Sequence, residues 1–292
     1  MKANIREVPT RGILTKSNLP IGDYSVNPYI GCTHGCRYCY ACFMRRFTNH
    51  PEPWGTFLDI KYWPSIPNPR KYAGKKLMIG SVTDPYLPEE AEYRRTRAFL
   101  EEIQGSGALI NIATKSDLVL EDLELIKTFP DARVSWSINT LDEVFRADMD
   151  RGSSIERRLE AMRIFHSEGI RTTCFISPIF PGITNVFEII ERVKHQCNLI
   201  WLENLNLRGG FKGDILEYIR TKWPNLVPLY QQIYQKRDLT YWQLLDQQLE
   251  QYAEAEDLEY LINAEPTPAF EDPPILVNFF YHEKIKQTPS RR

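Results

Sequence analysis

In the stretch Asn27-Pro28-Tyr29-Ile30-Gly31-Cys32-Thr33-His34-Gly35-Cys36-Arg37-Tyr38-Cys39-Tyr40, three cysteines stand four and three positions apart. This spacing sets three thiolates along one short loop, close enough to bind three irons of a single cubane. Gly31 and Gly35 permit the tight backbone path that such a loop needs. Three thiolates leave the fourth iron open, a vacancy that suits a chelating ligand. Cys42 brings in an alternative, a four-cysteine zinc site. Structural zinc usually takes two ligand pairs across a longer spacer, whereas these four cysteines fall between positions 32 and 42. Cys32, Cys36 and Cys39 are therefore read as the ligands of a [4Fe-4S] cluster, and Cys42 as a small buried residue on a following helix. His34 is read as exposed and incidental.

Composition bounds the rest. The chain has 292 residues, 42% hydrophobic and 25% charged, enough for one large α/β-barrel domain or two ordinary domains. Its formal net charge of -2 gives no global positive field that would advertise nucleic acid, although a local patch is compatible with it. No run of eighteen apolar residues occurs, and Met1 to Gly12 is polar and mixed in charge, so a cytoplasmic protein is expected. Four of the six cysteines crowd between Cys32 and Cys42, which reads as metal ligation rather than a disulfide framework.

After a proline- and aromatic-rich run from Pro51 to Pro69, read as an ordered loop, the chain alternates. Apolar runs at Leu77 to Val82, Leu109 to Thr114, Arg133 to Ile138, Thr172 to Ile176 and Leu199 to Leu205 predict strands, with helical patterns between most of them. The clearest helix starts at Ser153 with Glu156 as a capping box, carries Ile155, Leu159, Met162 and Phe165 on one face, and stops at Gly169. Short connections between such units imply parallel strands and right-handed crossovers. The strands are polar on one side: Ser135, Ser137 and Asn139 oppose Val134, Trp136 and Ile138, Asn111 and Lys115 oppose Ile110 and Ile112, and Asn204, Asn206 and Arg208 share a face. A polar inner face on several strands predicts a partial barrel whose lumen holds a ligand. Beyond Arg208 the pattern turns helical, at about Gly213 to Lys222, Leu226 to Lys236 and Thr240 to Ala255, and ends in an apolar run, Ile275 to Tyr281.

Cys-x3-Cys-x2-Cys with an aromatic residue, Tyr38, before the third cysteine resembles the signature of the radical S-adenosylmethionine (SAM) superfamily. The wording from Asn27 to Ala41 is similar to the branch of spore photoproduct lyase and its "DNA repair photolyase" relatives, over Ile13 to about Arg208. The whole chain resembles the group labelled radical SAM mobile pair protein B. The resemblance implies an α/β fold, a partial (β/α)6 TIM-like barrel with a mainly helical C-terminal extension. It divides the chain into a lead-in (1–24), a radical SAM core (25–208) and an extension packed on the barrel (209–292). It implies two cofactors, a [4Fe-4S] cluster and SAM, and reductive cleavage of SAM to a 5'-deoxyadenosyl radical that abstracts hydrogen from an unknown substrate.

Residue by residue, the resemblance places Tyr38 beside the cofactor, Ser81, Thr83 and Asp84 at the methionine amino group, Lys115 at the SAM carboxylate, Ser137 and Asn139 at the ribose, and Ile179 at the adenine. Asn204, Asn206 and Arg208 are left as substrate candidates. Expected partners are a one-electron reductant of flavodoxin or ferredoxin type and a second radical SAM protein. Nucleic acid is a further candidate, through Arg37, Arg45, Arg46, Arg70, Lys71, Lys75 and Lys76 with Trp54, Tyr62, Trp63 and Tyr72 among them. The sequence departs from spore photoproduct lyase in one respect: Ile79 to Asp84 contains no cysteine to donate a hydrogen atom, which argues against thymine-dimer reversal. No cysteine follows Cys197, so the extension has none for an auxiliary cluster. A non-catalytic Fe-S or zinc protein is the alternative from another class.

Overall fold

The computed structural model describes residues 3–17, 22–262 and 274–280. In chain order the strands are β1 (Asn4–Pro9), β2 (Leu14–Lys16), β3 (Tyr24–Val26), β4 (Tyr29–Gly31), β5 (Phe57–Tyr62), β6 (Lys76–Ile79), β7 (Leu109–Thr114), β8 (Ala132–Ser137), β9 (Arg171–Ile179), β10 (Leu199–Asn204), β11 (Tyr260–Ile262) and β12 (Ile275–Phe279). Nine of them form one sheet in the order β11-β12-β10-β9-β8-β7-β6-β3-β2. Every pairing in it is parallel except β2 with β3. Its six central parallel strands, β3 and β6 to β10, are those of a (β/α)6 core. The edge strands β2 and β11 are not paired with each other among the described residues.

Alternating exposure identifies the two faces. On β7 the odd positions are half-buried while Ile110, Ile112 and Thr114 are buried; β8 repeats this with Arg133 and Ser135 against Val134 and Trp136. The buried set joins Phe165, Ile190 and Leu202 in the main core under the helices. The other face stays partly open, as a ligand-holding lumen requires.

Several details differ from the sequence reading. β6 ends at Ile79, so Ser81 to Asp84 form a loop above it rather than the last part of the strand. The helix Ile155–Ser167 is capped by Ser154, whose side chain accepts from Arg157 N, and not by Ser153. That shift puts Glu156 one residue too early for a capping box, and it pairs with Arg192 instead. The loop expected from Pro51 to Pro69 contains β5, which lies between β1 and β4 in a separate three-stranded sheet. The extension does more than pack outside. After the helices Lys212–Lys222, Val227–Tyr234 and Thr240–Ala255, β12 pairs with β10 over its whole length and β11 follows, so the parallel sheet continues. Tyr281 and the residues after it lie outside the described residues.

Candidate active site

The cysteine loop leaves the small sheet at β4 and is held from below. Gly31 has φ +90°, and any Cβ there would strike the Phe57 carbonyl on the paired strand. Gly35 has φ +53° and lies under the Arg151 guanidinium. Arg151 Nε donates to Thr33 O at 3.1 Å and Nη2 to Gly55 O at 2.7 Å, while its backbone N donates to His34 O at 2.9 Å. Arg37 N donates to Met149 O at 2.9 Å. Tyr38 is buried, its hydroxyl 3.2 Å from Asp150 and its ring edge-on to Phe180. Asp150 in turn forms a fully buried ion pair with Arg158. Two well-separated segments, 31–39 and 149–151, are thus locked together around the thiols.

Burial pushes the Cys32 and Cys36 thiols up to about 12 and Cys39 to about 11. Thiols in such surroundings become thiolates only when a cation joins them. Cys42 is half-buried against the apolar cluster around Tyr38 and Phe180.

His34 was expected to be exposed; it is 2% exposed, with Nε2 3.2 Å from Asp84 Oδ2. Asp84 is a hub. It accepts from Thr114 Oγ1 and Lys115 N, both at 2.7 Å, and from Tyr86 N at 2.9 Å. Burial alone would raise its pKa, but His34 and these donors hold it at about 2. These three donors and the nearby His34 ring surround the carboxylate. Its task is to tie the ends of β6 and β7 to the cysteine loop. Thr83 Oγ1 donates to Gly31 O at 2.6 Å, a second tie. Ser81 accepts from Asn27 Nδ2 at 3.0 Å, and Asn27 Oδ1 receives Val82 N at 3.1 Å, so Asn27 clamps this loop.

Lys115 extends from the end of β7 toward the thiols. Its Nζ donates to Ser137 Oγ at 3.1 Å and lies 5.8 Å from the Tyr38 ring centroid. Burial opposes its charge, but Cys36 and Asp150 outweigh that and keep its pKa above the ordinary lysine value. Lys115, Ser137 and Tyr38 are thus brought together. Asn139 is buried one layer on, its Nδ2 3.5 Å from Pro178 O, and Ile179 is buried at the end of β9.

The substrate candidates do not share a strand face, because β10 ends at Asn204. Asn204 is buried beside Ile179 with neither amide atom hydrogen-bonded; Asn206 and the exposed Arg208 follow in the loop. On β10 the half-buried positions are Trp201 and Glu203. Burial raises the Glu203 carboxyl above its ordinary value. Sequence reading missed Glu203, Asn27, His34 and Asp150. The alternation through Trp201 and Glu203 was a usable signal for the first; the others are revealed only by contacts across the chain. Two small hollows, of about 140 Å³ beside Phe145 and Tyr218 and about 240 Å³ beside Leu141 and Ile183, contain none of these site residues.

A family model, "Radical SAM superfamily", matches residues 26–192. This chain belongs to the radical SAM superfamily. It is 33% identical over 226 residues to an uncharacterized protein of Methanocaldococcus jannaschii, covering 76% of this chain and 85% of the relative. An uncharacterized protein of Acidianus two-tailed virus is 32% identical over 197 residues, 62% of each chain. Among solved structures, spore photoproduct lyase with bound AdoMet and dinucleoside spore photoproduct superposes with a TM-score of 0.54 at 17% identity. The match covers 75% of this chain and 66% of that one, and the likeness is one of fold.

Radical SAM proteins use a [4Fe-4S] cluster and SAM, and these are the cofactors of this enzyme. The residues present fit the cluster. Among the described residues no three His, Cys, Asp or Glu side chains converge on one ion position, and a cubane needs no such convergence because its three thiolates bind three different irons. The buried, unpartnered Nδ1 of His34 and Nε1 of Trp54 beside the loop are polar atoms that a sulfide-rich group can satisfy. Among the described residues no helix is long and apolar enough to cross a membrane.

Proposed function

We propose that this radical SAM enzyme holds its cluster through Cys32, Cys36 and Cys39, binds SAM at the strand ends around Lys115, and abstracts hydrogen from a substrate lodged in the lumen. The Lys115 ammonium set beside Cys36 carries the reading, because a cation next to a three-thiolate loop is where a SAM carboxylate finds its partner. When bound and reduced by an external one-electron donor, the cofactors supply cleavage of SAM to methionine and a 5'-deoxyadenosyl radical.

The chain's own residues bind, orient and exclude water. Lys115 pairs with the carboxylate, and its bond to Ser137 fixes the direction of the ammonium. Thr83, Asp84 and the Ser81 segment face the amino group. Ser137 and Asn139 serve the ribose hydroxyls, and Ile179 offers an apolar surface to adenine. The test is anaerobic reconstitution with iron and sulfide, reduction, and addition of SAM. Release of 5'-deoxyadenosine supports the proposal; stoichiometric zinc with no iron overturns it.

One observation favours nucleic acid as the substrate or partner. On the turn of helix Tyr40–Phe47 that follows the cysteines, Arg46 stacks over exposed Phe43 and Phe47 at 5.5 and 4.8 Å, with Arg45 alongside. Such a surface suits bases and phosphates. The other aromatics suit it less, since Tyr72 is buried and Arg95 already covers Tyr62 and Trp63. Binding of single-stranded DNA or RNA that weakens steeply with salt is the expected sign, and absence of binding at low salt removes this reading.

A further inference from the structure

We infer that the lumen wall formed by β9 and β10 is a subsite for an organic cation, an ammonium or guanidinium group of the substrate, with Glu203 as its counter-charge and Phe175 and Trp201 as its aromatic wall. This rests on the reading just given, because it names the substrate chemistry of the same lumen.

Register carries the argument first. Trp201 lies abreast of Phe175, with ring centroids 6.4 Å apart and edge to face. Glu203 stands nearer the strand ends, where Ser177 Oγ–H donates to its Oε2 at 2.9 Å. All four side chains are half-buried, while Cys174, Ile176 and Leu202 between them are fully buried under the helices, so the accessible space lies on the side of Glu203. The position of Glu203 comes next. It acts electrostatically on Tyr40, as Cys39 does, so its charge is felt at the residue that follows the third cysteine.

Charge decides the ligand. Among the described residues no Lys, Arg or His forms an ion pair with Glu203. A carboxylate withdrawn from water is costly unless a cation or several donors meet it, and the two neutral donors that reach Glu203, the Ser177 hydroxyl and the Trp201 ring N–H, compensate only in part. An anionic ligand would add a second unpaired negative charge. An ammonium or guanidinium completes the pair and also rests against ring faces. The lumen is then polarised, positive at Lys115 and negative at Glu203.

The test titrates cluster- and SAM-loaded protein with benzylammonium, and with benzoate as an anion of similar size, reading binding by saturation-transfer NMR. Benzylammonium should bind and benzoate should not. Glu203→Gln should weaken benzylammonium by at least about tenfold, and Glu203→Asp should recover part of that loss. Iron content and circular dichroism establish that each variant is folded. Should Glu203→Gln not fold, Phe175→Ala gives an independent reading, since loss of the ring should also weaken the cation. Failure of benzylammonium to bind the parent, equal binding of benzoate, or folded variants that bind benzylammonium as the parent does would each overturn the inference. Release of 5'-deoxyadenosine from the same preparation reports separately on the radical SAM reading, so either can fail alone.

Discussion

Lys115 shows how much chemistry one side chain can concentrate. Its backbone N bonds Asp84, its ammonium bonds Ser137, and its charge is sustained by Cys36 and Asp150. Removing the ammonium by Lys115→Ala should cost about 1.5 to 3 kcal/mol of SAM binding, the range for hydrogen bonds to charged groups. Each 1.4 kcal/mol is tenfold, so the dissociation constant should rise by roughly one to two orders of magnitude. Equilibrium binding checks this, and iron content should stay unchanged because an ammonium cannot ligate iron. Replacing Cys32, Cys36 or Cys39 by Ala should abolish the iron chromophore, whereas Cys42→Ala should spare it; loss of iron in the Cys42 variant would mean a different ligand set. These residues were legible because their spacing is local. His34 was not, since nothing near it in the chain announces that Asp84, fifty positions later, will bury beside it.

At the scale of elements, the segment from Met149 to Arg151 supports the cysteine loop, and the helix Ile155–Ser167 supports that segment through the Arg158–Asp150 pair. The helix was readable from apolar periodicity, down to the stop at Gly169, with its cap one residue later than expected. The pair itself was not readable, because a helical arginine looks solvent-facing until the loop folds over it. Arg158→Met should leave Asp150 buried and unpaired, destabilising the protein by about 3 to 5 kcal/mol. Urea unfolding of the single variant and of Arg158→Met/Asp150→Leu measures it, and the double variant should recover much of the loss. The pH dependence has a definite sign. Burial opposes the Asp150 charge, but Arg158 and Lys115 outweigh it and hold the folded-state pKa below the unfolded value. The contribution is therefore present above the unfolded carboxylate range, near pH 4, and is lost as pH falls through the lower folded value. In Arg158→Met that acid-side loss should shrink, because only Lys115 and the Gly152 N–H then favour the Asp150 charge.

For the molecule as a whole, five of the six central parallel strands, β6 to β10, were legible as apolar runs with helical patterns between most of them, whereas β3, only Tyr24 to Val26, was too short to stand out. The small sheet was not, because β1 is a polar run, Asn4 to Pro9, and its partner β5 lies some fifty residues on within a proline-rich stretch. Nor was the placement of the C-terminal strands, since an apolar run does not state which edge it will join. That placement has a consequence for stability. β12 covers the edge of β10 through five paired residues, Leu199 with Ile275 to Glu203 with Phe279, and the extension sends Trp242, Leu249 and Leu276 into the main core, each fully buried. Burying each such side chain is worth about 1.5 to 3 kcal/mol, and a domain's whole stability is about 5 to 15 kcal/mol. A chain ending at Arg208 therefore forfeits a sum comparable to the entire margin and bares an unprotected sheet edge. It should be insoluble or lack a cooperative thermal transition, even though it retains every proposed cluster and SAM ligand. Circular dichroism melting of the two chains side by side measures this, and a truncated chain that melts cooperatively near the parent temperature would show that the extension is an accessory to the sheet rather than part of it.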